Sequence, residues 1–291
     1  MTILENTKNY PFIPNHLNID GHNLAYIDEG NHDKPVVLML HGNPSWSYLY
    51  RNLILNLKDK FRCIAPDHIG CGNSDKPQDY KYHLETHIAN IEILIKRLNL
   101  KSFNLVVHDW GGAIGAGISI KYPEKVKSYT AMNTSAFLSS RIPVSINACR
   151  LPIIGEILIR QFNAFAAGAT KMAVVNPLPN DISKEFIAPY YNWQSRIATY
   201  QFVADIPLHP DDYSYKLMQE IDKKFTLSTM PKQIIWGGKD FCFNDSFYET
   251  WIKRFPDAPN YYFENAGHYL MEDVGEEIYP LINQFITDIN H

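Results

Sequence analysis

Two hydrophobic periodicities alternate along the first half of the chain. Residues 35–40 are apolar at nearly every position, the pattern of a central parallel strand covered by helices on both faces. Tyr48, Leu49, Leu53, Ile54 and Leu57 then recur at helical spacing. A second strand-like run, 61–66, leads into the turn-rich stretch 67–75, whose Gly and Asp residues suit tight turns and predict a structural role. Residues 83–100 place Ile88, Ile91, Leu94, Ile95 and Leu98 on one helical face. Residues 105–108 read as a buried strand, and the glycines from Gly111 to Gly117 as a helix packed closely against it. A further strand is predicted over 126–132, and an earlier one over 24–28, closed by the turn at 28–31. Strand and helix alternate, which predicts an α/β fold with a mainly parallel sheet, right-handed crossovers and helices on both faces.

From 135 to 212 this rhythm breaks. Seven prolines (143, 152, 177, 179, 189, 207, 210) stand among Phe162, Phe165, Phe186, Tyr190, Tyr191, Trp193, Tyr200 and Phe202. We expect a mostly helical cap at 135–212, inserted in a core formed by 1–134 and 213–291. It would lie over the carboxyl ends of the strands, where ligands bind in open α/β sheets. Two or three of its aromatics are expected to line a pocket and the rest to pack. Arg141 and Arg196 are read as solvated or structural ion-pair residues. The rhythm resumes with a strand at 233–236, a helix at 246–255, a strand at 261–263 and a last helix at 276–289.

Composition narrows the classes of function. With 27 basic and 31 acidic residues the chain has a net charge of −4 and no basic footprint for nucleic acid. Residues 1–20 hold no apolar core of signal-peptide length, and no apolar run is long enough to span a bilayer, so a cytoplasmic protein without a membrane span is expected. Cys63, Cys71, Cys149 and Cys242 are scattered and lack the spacing of metal ligands; they are read as reduced thiols. Neither a metal nor a cofactor is expected.

The candidate chemistry centres on Asp109, in the frame Val107-x-Asp109-x-Gly111 between the buried strand and the glycine-rich helix. A carboxylate there is ionised at neutral pH and can attack without a base first removing its proton. Asp is also a preferred helix N-cap, so the position alone does not decide. Asp240 and His268 decide it, because each follows a predicted strand. The chain order nucleophile, acid, base is that of α/β-hydrolases. Asp240 would hold His268 in its tautomer and stabilise the protonated ring. Backbone NH groups of Asn43 and Trp110 would face developing negative charge. The Asn43 amide and the Trp110 indole NH are two further donors able to hold a leaving anion.

These segments carry a resemblance. His-Gly-Asn-Pro-Ser-Trp-Ser-Tyr (41–48), Pro-Asp-His-Ile-Gly-Cys-Gly-Asn-Ser-Asp-Lys-Pro (66–77), His-Asp-Trp-Gly-Gly (108–112) and Ala-Gly-His (266–268) resemble the haloalkane dehalogenase branch of the α/β-hydrolase superfamily. Within the cap, Asn-Ala-Phe-Ala (163–166), Ala-Pro-Tyr (188–190), Arg-Ile-Ala (196–198) and Ala-Asp-Ile-Pro-Leu (204–208) are similar to the OleB-type β-lactone decarboxylases of bacterial long-chain olefin biosynthesis. The resemblance implies Asp109 as nucleophile, His268 as base, Asp240 as acid, and Asn43 with Trp110 as the pair holding the leaving anion. It implies a cofactor-independent conversion of a cis-3,4-dialkyl-oxetan-2-one to a cis-alkene and CO2. It also implies apolar substrates with two long alkyl chains, and assembly with the synthetase and reductase of the same pathway. Haloalkane dehalogenase is the alternative. Next comes epoxide hydrolase, which needs lid acids for which Tyr190, Tyr191 and Tyr200 are the candidates by composition. A catalytically silent binding protein of the same fold is the non-enzyme alternative.

Overall fold

The computed structural model describes residues 9–290. The expectation that no leader occupies residues 1–20 falls partly on 1–8, which lie outside the described residues. Eight strands form one sheet: β1 (Asn15–Ile19), β2 (His22–Glu29), β3 (Val36–Leu40), β4 (Arg62–Pro66), β5 (Phe103–Asp109), β6 (Val126–Thr134), β7 (Lys232–Gly237) and β8 (Asn260–Phe263), in the order β1-β2-β4-β3-β5-β6-β7-β8. The pairs from β4 through β8 are parallel, whereas β1 and β2 run antiparallel. This is the mainly parallel α/β sheet that the alternation along the sequence predicts, in the α/β-hydrolase fold that the resemblance implies. Strands β3, β4, β5 and β7 are buried at every residue, which is why they read as continuous apolar runs.

Strand β1 was not expected. Its signal is the pair Asp20-Gly21, both at positive φ (49° and 90°), a two-residue turn that joins β1 to β2 as a hairpin. Leu17 and Ile19 point inward between exposed neighbours.

Helices α1 (Arg51–Leu57), α2 (Leu84–Arg97) and α3 (Trp110–Lys121) connect the core strands. Between β6 and α9 (Tyr215–Thr226) lie α4 (Val144–Arg150), α5 (Ile154–Glu156), α6 (Ala164–Met172), α7 (Asn180–Ile187) and α8 (Ile197–Ala204). The chain closes with α10 (Asp245–Arg254), α11 (Leu270–Asp273) and α12 (Gly275–Asn290). Two apolar cores result, one on each face of the sheet. Leu38, Leu105, Ile114 and Trp236 belong to the first, and Met39, Val106, Ile235 and Ile282 to the second.

The strand order positions the site. From β3 the chain moves outward to β4, then returns to lay β5 on the other side of β3. The loops leaving β3 and β5 therefore diverge, opening a crevice at the switch point. Asn43 follows the first of these strands, and Asp109 ends the second. The turn-rich loop 67–75 has the structural role expected of it. Buried Asp67 accepts the backbone NH of Ser47 at 2.7 Å and of Asn73 at 2.8 Å, tying the loop to the chain after β3.

Candidate active site

Asp109 sits on the sharp turn between β5 and α3 with φ 52° and ψ −127°, a backbone conformation that non-glycine residues rarely adopt. Two close approaches explain why glycines surround it. A Cβ on Gly42 would lie 1.9 Å from Asp109 Oδ1, and one on Gly111 would lie 1.8 Å from the Leu40 carbonyl oxygen. The register between β5 and β6 also shifts between His108 and Asp109, re-aiming the side chain where the strand ends. The Thr134 hydroxyl donates to the Asp109 carbonyl from the neighbouring strand. Asp109 precedes α3, but its side chain makes no capping bond to that helix. Its carboxylate turns toward β3 instead.

Oδ1 of Asp109 accepts the backbone NH of Asn43 at 2.6 Å, and the nearby backbone NH of Trp110 also favours the charged carboxyl. Oδ2 lies 3.8 Å from His268 Nε2. On the other side of the ring, His268 Nδ1 is 2.7 Å from Asp240 Oδ2. The structure thus brings Asp109, His268 and Asp240 into one line, all buried. Burial is the largest influence on each. It raises the Asp109 pKa above its ordinary value despite His268 and the two backbone donors. It opposes charge on His268 too, but Asp240 and Asp109 outweigh it and raise the imidazole pKa. For Asp240, His268 and the surrounding donors overcome burial and hold the carboxyl below its usual range.

Two supports lie outside the predicted triad. Asn133, at the end of β6 with φ 35°, donates from Nδ2 to Asp240 Oδ2 at 2.9 Å and to the Gly237 carbonyl at 3.0 Å. Its Oδ1 accepts the Gly237 NH at 2.8 Å. The hint was an Asn in an apolar strand one residue before a Thr. The second support is His108. Burial lowers its pKa to about 3, so it is neutral, and Nε2 donates to the His268 carbonyl at 2.8 Å. Its ring centroid is 4.4 Å from that of His268.

The two anion-holding candidates differ from each other. The Trp110 ring rests against Phe202, centroids 5.4 Å apart, and no acceptor among the described residues bonds its indole NH. The Asn43 amide is already engaged, with Nδ2 donating to the Thr199 carbonyl of α8 at 3.1 Å. One hydrogen of that amide therefore points at the helices above rather than at the cavity.

Asn43, Asp109, Trp110 and His268 line a cavity of about 320 Å³ whose remaining wall is mostly apolar, including Ile146, Val203, Ile206 and Leu208. Of the eight aromatics picked out between 162 and 202, only Phe165 lines it; the expectation of two or three is corrected. The others are used elsewhere. Phe186 packs between Tyr48 and Tyr269, Phe202 stacks on His87, Trp193 lies under Arg160, and Phe162 is exposed. The missing aromatics are Phe137, Phe241, Phe243 and Phe247. Phe241 and Phe243 follow Asp240 directly, and the Phe243 ring lies parallel to His268 at 5.8 Å. Among the described residues no tyrosine lines the cavity. Arg196 is held by backbone carbonyls, among them Tyr190 O at 2.8 Å and Arg160 O at 2.7 Å, rather than by an ion pair. Arg141 is exposed at the cavity rim, in no ion pair among the described residues.

Residues 35–151 match the α/β hydrolase fold family. The chain is 42% identical over 286 residues to the cis-3-alkyl-4-alkyloxetan-2-one decarboxylase of Shewanella oneidensis, covering 96% of this chain and 89% of that protein. It is 39% identical over 290 residues to the protein of the same name from Xanthomonas campestris pv. campestris, covering 95% and 97%. Among solved structures, a haloalkane dehalogenase from Bradyrhizobium elkani superposes with a TM-score of 0.87 at 26% identity, covering 96% of this chain and 99% of that one.

Proposed function

Because the chain belongs to the cis-3-alkyl-4-alkyloxetan-2-one decarboxylase family of α/β-hydrolase-fold enzymes, we propose that it converts a cis-3,4-dialkyl β-lactone to a cis-alkene and CO2, with Asp109 as nucleophile. In this reading Asp109 attacks the ring carbon that bears oxygen. The carbon–oxygen bond breaks with inversion, and the freed carboxylate is met by the Trp110 indole NH and the remaining amide hydrogen of Asn43. The carboxylate's bond to the adjacent carbon then breaks. Its electron pair forms the alkene and expels Asp109 as carboxylate, leaving CO2. Inversion followed by anti elimination turns a cis lactone into a cis alkene. No water is consumed and no proton changes hands.

The observation that carries this reading is a carboxylate pinned through Oδ1 by a backbone NH, 3.8 Å from an imidazole, on the floor of an apolar cavity. The raised pKa of His268 gives the ring a role suited to decarboxylation. Protonated and paired with Asp240, it stabilises Asp109 as the departing anion. Hydrolysis would need the same ring neutral, to take a proton from water. The division into a core of 1–134 and 213–291 and a cap of 135–212 belongs to the same proposal. It is supported by helices α4, α6 and α8, which bring Ile146, Phe165 and Val203 to the cavity wall.

Haloalkane dehalogenase remains the second reading, favoured by the likeness to the Bradyrhizobium structure and by the open indole NH. Epoxide hydrolase loses support. Tyr190 is buried with its hydroxyl near the Ser45 carbonyl, Tyr191 is exposed, and neither these nor Tyr200 lines the cavity. The test is to incubate the purified protein with a cis-3,4-dialkyl-oxetan-2-one and resolve the products by gas chromatography. The cis-alkene supports the proposal. Hydroxy acid, or unconverted lactone beside bromide release from bromoalkanes, sinks it.

A further inference from the structure

The helices at the cavity rim carry apolar side chains that nothing in the described fold covers. Val144 on α4, Leu151, Ile153, Ile154 and Ile157 around α5, and Phe162 are all exposed, Ile153 by 72%. The turn between α4 and α5 is also strained. Ile153 has φ 66° and ψ −58°, and the Ile154 NH donates to the Pro152 carbonyl at 2.7 Å. This is a positive-φ γ-turn, which a β-branched residue adopts only under constraint. A strained turn that holds an isoleucine out in water points to a use for its exposure.

Charge along this segment is one-sided. Residues 139–175 contain Arg141, Arg150, Arg160 and Lys171 against one acid, Glu156, whereas the rest of the chain holds 23 basic and 30 acidic residues. Arg150 pairs with Asp212 and Arg160 with Glu156. Arg141 and Lys171 are exposed and in no ion pair among the described residues. Arg141 also joins Lys253 in a groove of about 480 Å³, lined by Ser139, Ser140 and Ser246, with Glu249 as its one acid and with Arg254 paired to Asp222. Ser139 and Arg141 line both this groove and the catalytic cavity, so a basic polar recess opens beside the apolar one. Met172 lines the cavity and is 53% exposed, so the cavity reaches the surface on this same side.

We propose that this face docks on an anionic lipid bilayer. The apolar turn around Ile153 enters the acyl boundary, and Arg141, Lys171 and Lys253 meet lipid phosphates. The cavity mouth then opens toward the membrane. Interfacial binding of this kind scales with the apolar area buried and with attraction between basic side chains and anionic headgroups. The benefit to catalysis rests on the dialkyl-lactone reading, under which substrate and product dissolve in lipid rather than in water. The docking itself does not depend on that reading.

The test is co-sedimentation of the full chain with vesicles of phosphatidylglycerol and phosphatidylethanolamine, and with vesicles of phosphatidylcholine alone, in the absence of lactone. Binding to the anionic vesicles is expected, weakening as salt is raised. Ile153→Asp combined with Ile154→Asp should reduce it by about tenfold or more, and Lys253→Glu by about fivefold or more. Ile153→Gly suits the positive φ, so it should keep the fold and still weaken binding; it and Lys253→Glu should leave turnover of a short, water-soluble β-lactone unchanged. No binding to anionic vesicles, equal binding to phosphatidylcholine, or full binding by the double Asp variant would overturn the proposal. Light scattering that shows a dimer made monomeric by the same variant would assign the patch to a second copy instead. Alkene formation without vesicle binding would sink the docking alone. Vesicle binding by a protein that makes no alkene would sink the substrate reading and leave the docking.

Discussion

Two aspartates stand at the carboxyl ends of parallel strands on either side of β6, both buried, and their surroundings set them to opposite tasks. After β7, Asp240 accepts from the Cys242 NH at 2.6 Å, the Phe243 NH at 3.0 Å, Asn133 Nδ2 at 2.9 Å and His268 Nδ1 at 2.7 Å. After β5, the Asp109 carboxylate accepts the backbone NH of Asn43 and has the backbone NH of Trp110 beside it. Four donors keep the first carboxylate ionised and fixed, and hold its pKa low. Two donors on a strained turn leave the second with a raised pKa and an oxygen able to react. The number of donors, rather than burial, distinguishes the anchor from the nucleophile.

The largest effect should come from Asp109→Asn. It should lower turnover by about 10⁵-fold, as removal of a nucleophile does, while leaving the melting temperature unchanged or higher, because an unfavourably buried carboxylate is lost. Asp240→Asn should reverse that pattern. Turnover should fall by about 10³-fold, and stability measured by denaturant unfolding by about 3 kcal/mol, as four donors converge on a lost charge. A stability cost at Asp109 equal to that at Asp240 would break the comparison. Asn133→Ala is expected to cost about 2 kcal/mol in the same assay and about tenfold in turnover, by releasing Asp240 and Gly237 together.

The pH dependence sharpens the contrast further. The folded pKa of Asp240 lies below its unfolded value of about 3.9, so its contribution to stability is complete above that pH and is lost as pH falls through the folded value. Asp109 is the reverse: its raised pKa costs stability once the pH exceeds the unfolded value. His268, raised as well, contributes stability that is full below about 6.5 and disappears as pH climbs through its folded pKa. Thermal melts across pH should therefore show a shallower acid limb in Asp240→Asn, and a gain at neutral pH in Asp109→Asn. Decarboxylation that needs the imidazolium should fall at alkaline pH, whereas a hydrolytic step that needs the neutral ring would rise.

The same comparison explains how much could be read from the sequence. The sheet was legible because β3, β4, β5 and β7 are covered on both faces and so carry mostly apolar runs. The candidate triad was legible because Asp109 ends β5, Asp240 follows β7 and His268 follows β8, in the order the fold requires. What stayed hidden depends on contacts between distant residues. Asn133 and Asp240 are 107 positions apart, and nothing local marks that hydrogen bond. The Asn43 amide is turned by a Thr199 carbonyl 156 residues away. The cavity aromatics were misplaced because an aromatic-rich cap looks alike whether its rings pack or line a pocket. Strand β1 was missed although Asp20-Gly21 announced it, because β1 is short and two of its five residues are asparagine.

In the proposed reaction, Asp109 breaks the bond between the ring oxygen and the alkyl carbon. It is tested most directly by a single-turnover, rapid-quench reaction with a cis-3,4-dialkyl β-lactone carrying ¹⁸O in the ring. Attack at that carbon leaves the label in the carboxylate, so cis-alkene should form together with labelled CO2. Alkene accompanied by unlabelled CO2, or hydroxy acid in place of alkene, would contradict it.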